Sequence, residues 1–193
     1  EAYKLLEKHI DGNIHILWDT DTDGITAGAI MHRYMMQCGI ECMSHINEGK
    51  AHGLLGQDLD RFEGADLIII VDSLDKDCSA YSKLKEQGKD IIVLDHHAVN
   101  PEIPYSDHIT LVTSQIYYKN PSLSGAGVVW KFCKYIDKQN GTNYADELVD
   151  LCCCGLVADM MDMTVMENRY IVSKGLERIN NLALKKIIGS YEF

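Results

Sequence analysis

Proline and basic charge are the two scarcities of this sequence. Only three prolines occur in 193 residues, with 24% of residues charged and 46% hydrophobic. That composition excludes a disordered chain and leaves enough apolar material for one substantial core. Eighteen Lys and Arg stand against 29 Asp and Glu, a formal net charge of −11. A protein that grips a polyanion by itself usually shows a basic face, and this balance runs against one. A nucleic-acid partner would need positive charge from bound divalent ions or from an additional basic domain or partner protein. Long hydrophobic runs are missing as well. The longest, such as Leu67 to Val71, are too short to cross a bilayer, and no signal peptide is present, so no membrane partner is expected. Internal repeats and low-complexity tracts are absent. Cysteine is plentiful, but its pattern lacks pairing: Cys38, Cys42, Cys78, Cys133 and the adjacent Cys152, Cys153 and Cys154 make an odd number. This is no disulfide framework, and a reducing, cytoplasmic setting is expected. Cys38 and Cys42 have the spacing of half a zinc site, with no second pair to complete it. The chain begins at Glu1 rather than Met, as expected of a piece of a longer protein.

What is present is an alternation of short apolar runs and helical periods. Ile14 to Trp18 reads as a strand, Asp19 to Gly24 as a carboxylate-rich turn, and Ile25 to Gln37 as a helix that Gly39 stops. Glu41 to Ile46 is a second strand. Asp66 to Val71 and Asp90 to Leu94 are the continuous runs expected of strands buried on both faces of a parallel sheet, and a helix over Lys76 to Gln87 separates them. A further strand is expected over His108 to Thr113. Beyond Ser124 the pattern is helical, over about 125–139, 144–158, 165–180 and 182–189. The order predicts an α/β fold: a doubly wound, mainly parallel sheet flanked by helices over about 1–115, then a helical C-terminal segment over about 120–193, forming one catalytic domain.

The polar residues gather at one edge of that sheet. Three strands run into acidic or histidine-bearing turns: Asp19 to Asp23, Asp72, and Asp95 to His97. In open parallel sheets this carboxyl edge is where ligands bind. Asp19, Asp21 and Asp23 alternate, so an extended backbone would point all three carboxylates one way, where they would repel unless cations lay between them. His96, His97 and Asp159 add donors. Carboxylates with one or two imidazoles and no thiolate favour manganese or magnesium over structural zinc. Five or six ligands suit two ions about 3.5–4 Å apart better than one. The Asp-x-Asp-x-Asp-Gly run also resembles a calcium loop, but the Glu required at its twelfth position is Ile30 here.

Together these stretches resemble the DHH phosphoesterases. Trp18-Asp19-Thr20-Asp21-Thr22-Asp23-Gly24-Ile25-Thr26 is similar to the family's first motif, Val71-Asp72 to the second, Val93-Leu94-Asp95-His96-His97 to the third, and Gly155-Leu156-Val157-Ala158-Asp159 to the fourth. Asn47-Glu48-Gly49-Lys50-Ala51-His52-Gly53-Leu54 and Ser124-Gly125-Ala126-Gly127-Val128-Val129-Trp130-Lys131-Phe132 resemble segments of the RecJ-type single-strand exonucleases. Leu17 departs from the family, which usually has His there. The resemblance implies two Mn2+ ions, with Mg2+ as the alternative. Asp21, with Asp19 nearby, would hold the first; Asp23, His96 and Asp159 the second; Asp72 would bridge them. It implies that His97 faces the scissile phosphate and that Asp95 orients the histidines. The amides of Gly125, Ala126 and Gly127 open a helix and are expected to receive a phosphate. Lys50, His52 and Lys131 are expected on a nucleic-acid backbone. Asp162 is expected to share a helix face with Asp159. The family's second, substrate-binding domain has no counterpart here.

The function expected is two-metal phosphodiester hydrolysis, as a 5′-to-3′ exonuclease on single-stranded nucleic acid, DNA rather than RNA. Two alternatives stay open. One is a small-substrate phosphoesterase: an oligoribonuclease, a phosphoadenosine-phosphate phosphatase or a cyclic-dinucleotide phosphodiesterase. The other is an inactive binding scaffold.

Overall fold

The computed structural model describes residues 1–48 and 53–189. Five parallel strands form one sheet in the order β2-β1-β3-β4-β5: β1 (Ile14–Trp18), β2 (Cys42–Ile46), β3 (Leu67–Val71), β4 (Asp90–Asp95) and β5 (Thr110–Thr113). The helices are α1 (Ala2–Lys8), α2 (Thr22–Gln37), α3 (Ser79–Glu86), α4 (Gly125–Asn140), α5 (Val149–Ala158), α6 (Met166–Glu177) and α7 (Leu182–Gly189). This is the doubly wound arrangement the sequence pattern predicts, with the helical C-terminal part present.

Strand alternation divides the interior into two cores. Leu67, Ile69 and Val71 of β3, with Ile92 and Leu94 of β4, face the layer built by α1, α2, α4 and α5. Ile68, Ile70, Ile91 and Val93 face the opposite layer, where Ala80, Tyr81 and Leu84 of α3 cover them. Every residue of β3 is buried, as expected of a strand with helices on both faces.

Several element boundaries move, each for a local reason. Helix α2 starts at Thr22, a turn earlier than expected, because Asp21 caps it and accepts the Gly24 N–H at 2.8 Å. Helix α3 starts at Ser79, since the Asp77 carboxylate takes the Ser79 N–H at 2.8 Å and holds the preceding residues in a turn. Strand β5 begins only at Thr110, because the His108 and Ile109 amides both turn back onto the Tyr105 carbonyl at 2.9 Å. The helix expected over 144–158 divides into a 3-10 turn (Tyr144–Leu148) and α5. Helix α1 lies outside the sequence pattern: only Ala2 and Leu6 are buried in its seven residues, too few to set a visible period.

Candidate metal centre

Strand register places the first three carboxylates. Trp18 pairs with Val71, and Val71 with Leu94, so Asp19, Asp72 and Asp95 share one rung at the carboxyl ends of three adjacent strands. That rung straddles the boundary between β1 and β3, where the strand order reverses and where open sheets bind ligands. The Asp72 N–H extends the ladder to the Leu94 carbonyl at 2.9 Å. Its backbone then turns with φ of 57°, a left-handed conformation that costs a residue with a side chain about 1 kcal/mol or more.

Asp21 and Asp23 reach the same place by a different route from the extended turn expected. Asp21 is the cap of α2, and Asp23 lies inside its first turn. Asp23 is drawn across to α4, where its carboxylate accepts the Gly125 N–H at 2.6 Å and the Ala126 N–H at 3.1 Å. This corrects the expectation that these amides receive a substrate phosphate. A helix N-terminus attracts the nearest anion, and here that anion is the protein's own. The Gly127 amide is likewise taken, by the Ser124 hydroxyl at 3.2 Å. Lys50 and His52 lie outside the described residues. Lys131 is tied to Glu167 at 2.7 Å, so it is not a free cation at the site.

His96 stands at the middle of the cluster. Its Nε2 is 3.4 Å from Asp72 Oδ1, 3.5 Å from Asp159 Oδ2 and 3.9 Å from Asp23 Oδ2. Asp159 is the C-cap of α5. That helix ends at Ala158, so Asp162 does not share a helical face with Asp159; it caps the Thr164 N–H at 2.8 Å instead. Two triads of donors, Asp19/Asp21/Asp72 and Asp23/His96/Asp159, each bring their ligand atoms within 4.8 Å of one another. Asp72 Oδ1 and Asp159 Oδ2 are buried and have no hydrogen-bond partner. A buried carboxylate oxygen left in that state is costly unless a cation compensates it.

The electrostatics carry the same message. Burial, followed by the fields of Asp23, Asp95, Asp21 and Asp19, pushes Asp72 up to about 11. Burial also raises Asp23, against the lowering effect of the Ala126 and Gly125 amides, Ser124 and His96. Asp95 behaves in the opposite way. Burial acts to raise it, but the bond from His97 and the charges of His97 and His96 outweigh burial, and it falls below the usual range. Both its oxygens are engaged: Oδ1 accepts from His97 Nδ1 at 2.8 Å and the His96 N–H at 2.7 Å, and Oδ2 accepts the Leu74 N–H at 3.0 Å. His97 is raised, first by this bond to Asp95.

Three glycines that spacing alone does not single out for this role let the cluster close. A Cβ on Gly24 would meet Asp19, one on Gly125 would meet the Asp72 side chain, and one on Gly155 would fall 2.5 Å from Ala126 Cβ and 2.7 Å from Thr26 Oγ1. Ser124, which caps α4, likewise carries no mark of the site in its spacing. In the sequence Gly24 and Gly155 stand within acidic motifs and Ser124 and Gly125 open the glycine-rich segment at 124–132, but neither setting reveals this role.

Comparison with known proteins agrees with this geometry. The family described as "DHH family, N-terminal domain" matches residues 13–156. YorK, an SPbeta prophage-derived candidate single-strand DNA-specific exonuclease of Bacillus subtilis strain 168, is 32% identical over 100% of this chain and 34% of its own length. The single-stranded-DNA-specific exonuclease RecJ of the same organism is 30% identical over 91% of this chain and 23% of its own. The chain thus spans about a third or less of these relatives. A crystal structure of exonuclease RecJ bound to manganese superposes with a TM-score of 0.82 at 27% identity, covering 92% of this chain and 47% of that one. The acidic cluster fits divalent-metal binding. Among the described residues no helix is long and apolar enough to cross a membrane.

Proposed function

The chain belongs to the DHH family, and from that premise we propose that it is the catalytic part of a metal-dependent phosphodiesterase that degrades single-stranded DNA from the 5′ end. The observation carrying this reading is the pair of donor triads linked where His96 Nε2 lies 3.4 Å from Asp72 Oδ1, with two buried carboxylate oxygens that accept no hydrogen bond. Asp19 and Asp21 would hold one Mn2+ or Mg2+, Asp23, His96 and Asp159 a second, and Asp72 would serve both. Such an ion pair, when bound, polarises phosphoryl oxygens and lowers the pKa of water to near neutrality.

The chain's own residues do the rest. His97 is partly exposed, and Asp95 holds its Nδ1 and favours its charged form. It is therefore placed to donate to a phosphate oxygen as negative charge builds there. Asp95, engaged by His97, the His96 amide and the Leu74 amide, would fix the ring rather than bind metal. The buried Asp23 carboxylate, anchored by two amides of α4, holds the donor set rigid across two helices. Asp19, Asp21, Asp23, Asp72, His96 and Asp159 are all present, which favours an enzyme over a scaffold.

The test is manganese-dependent release of 5′-mononucleotides from 5′-labelled single-stranded oligonucleotides by the full-length protein. Activity should vanish in chelator and in Asp72→Ala. Cleavage that survives Asp72→Ala removes the proposed shared ligand, and hydrolysis confined to dinucleotides or nucleoside bisphosphates replaces the long-strand reading.

A further inference from the structure

Next to the carboxylate cluster lies a cavity of about 410 Å³ lined by Leu74, Asp75, Lys76, His97, Ala98, Asn100, Ile103 and Tyr105. His97 is the wall it shares with the cluster, since His97 Nδ1 is 4.0 Å from Asp72 Oδ1. The larger openings lie elsewhere: one is at the amino edge of the sheet around Asp11 and Gly39, and another is beside α6.

The walls of this cavity are apolar and braced. Tyr105 donates its hydroxyl to the Asp75 carbonyl at 2.8 Å, and the Asp75 N–H donates to the Tyr81 hydroxyl at 2.9 Å. Asp95 ties the cavity to the chemistry: one of its oxygens holds His97 and the other holds the Leu74 amide. A group seated against Leu74 is thereby registered against the His97 ring.

The rim carries one cation. Lys76 is exposed and forms no ion pair among the described residues. The acids that flank it in sequence are engaged elsewhere. Asp75 accepts the Leu54 and Leu55 amides at 2.8 to 3.0 Å, and Asp77 accepts the Ser79 amide at 2.8 Å. In a chain of net charge −11, an unengaged ammonium a few residues from Asp72 stands out as a phosphate contact.

We propose that this cavity is the subsite for the nucleoside flanking the scissile phosphodiester, with its sugar and base against Leu74, Ile103 and Tyr105 and the neighbouring phosphate on Lys76. The assignment rests on the phosphodiesterase reading above. A pocket of this size suits one nucleotide, and apolar contact with a base is tolerant of sequence.

The experiment uses the full-length protein, manganese and single-stranded oligonucleotides over a range of salt. Lys76→Met should raise KM roughly tenfold, as expected for loss of one charge-assisted contact, with kcat nearly unchanged. It should also flatten the dependence of log KM on log salt by about 0.7, the loss of one phosphate contact to a single strand. Lys76→Arg should restore both. Ile103→Trp, which fills the cavity, should lower kcat/KM while manganese binding by calorimetry stays as in the wild type. If the wild type cleaves but Lys76→Met keeps its KM and salt slope, the subsite is wrong and the hydrolase stands. If the wild type cleaves nothing with manganese, the hydrolase reading falls and the subsite falls with it.

Discussion

Replacing Asp72 by Asn should make the metal-free protein more stable, although the residue sits at the heart of the site. Asp72 is buried, its Oδ1 has no hydrogen-bond partner, and its pKa is pushed up to about 11 from an ordinary value of 3.8. The folded state therefore holds a proton that the unfolded chain releases above pH 4 or so. A raised folded-state pKa contributes stability that is complete below the unfolded value and is lost as pH rises toward the folded one. At a working pH of about 7.5 the penalty is 2.303RT times the distance above the unfolded pKa, on the order of 5 kcal/mol at most. Water entry and relaxation, which give protein sites an effective dielectric near 20, bring the expected effect to about 2–5 kcal/mol. An amide in the same place does not titrate and gains donors toward the surrounding carboxylates. For a chain of this length each kcal/mol moves Tm by about 2–4 °C, so Asp72→Asn should melt roughly 5–20 °C above the wild type in chelator. Manganese should reverse the order, because binding to the folded state would stabilise the wild type by mass action, whereas the variant's amide would no longer supply the proposed shared carboxylate. The assay is thermal unfolding at pH 6, 7.5 and 9, with chelator and with manganese. The reasoning is refuted if the metal-free variant melts at or below the wild type at pH 9, or if the gap between them fails to widen as pH rises.

Three further outcomes follow from the same geometry. Gly155→Ala drives a methyl toward Ala126 and Thr26 and should cost about 1–3 kcal/mol by overpacking, read as a lower urea midpoint at constant m. His97→Ala should reduce turnover about 10²–10³-fold, as loss of a preorganised donor does, while calorimetric manganese affinity stays within about twofold; a matching loss of metal binding would make His97 a ligand instead. Asp137→Ala removes a buried carboxylate that accepts from the Tyr34 and Thr142 hydroxyls and from the Tyr144 and Ala145 amides. It should destabilise by about 3 kcal/mol by leaving those donors unpaired, with manganese affinity unchanged below the melting transition.

The parallel sheet is legible because its strands are read by composition alone: Leu67 to Val71 is apolar at every position, and only a strand covered on both faces tolerates that. The acidic residues at the strand ends are legible for the same reason, since each apolar run stops at a carboxylate. What the sequence hides depends on contacts between distant segments. Alternation suggests that Asp19, Asp21 and Asp23 converge along an extended turn, whereas they converge because Asp21 caps a helix and pulls Asp23 into its first turn. The glycines of α4 look like a phosphate cradle, and their amides in fact serve Asp23, which is about a hundred residues away in the chain. Spacing cannot reveal that an internal anion already occupies a helix end. Helix α1 and the buried Asp75 are invisible because the first has too short an apolar stripe and the second makes only tertiary bonds.

The cluster also bears on how so acidic a chain would accommodate the polyanionic substrate proposed for it. Register alone forces Asp19, Asp72 and Asp95 onto one rung, and the two apolar cores beneath them supply the free energy that holds them there. Asp95 relieves itself through His97 and Asp23 through the amides of α4, but Asp72 and Asp159 each keep a buried oxygen with no partner. The carboxylate oxygens without a hydrogen bond are thus confined to the point where the proposed cations and the scissile phosphate would meet. Two divalent ions would change the formal charge from −11 to −11 + 4 = −7, and that change would fall at this edge of the sheet. In this reading the attraction for substrate resides in the loaded centre and in Lys76 beside it, so strand binding should depend on manganese even in variants that cannot cleave.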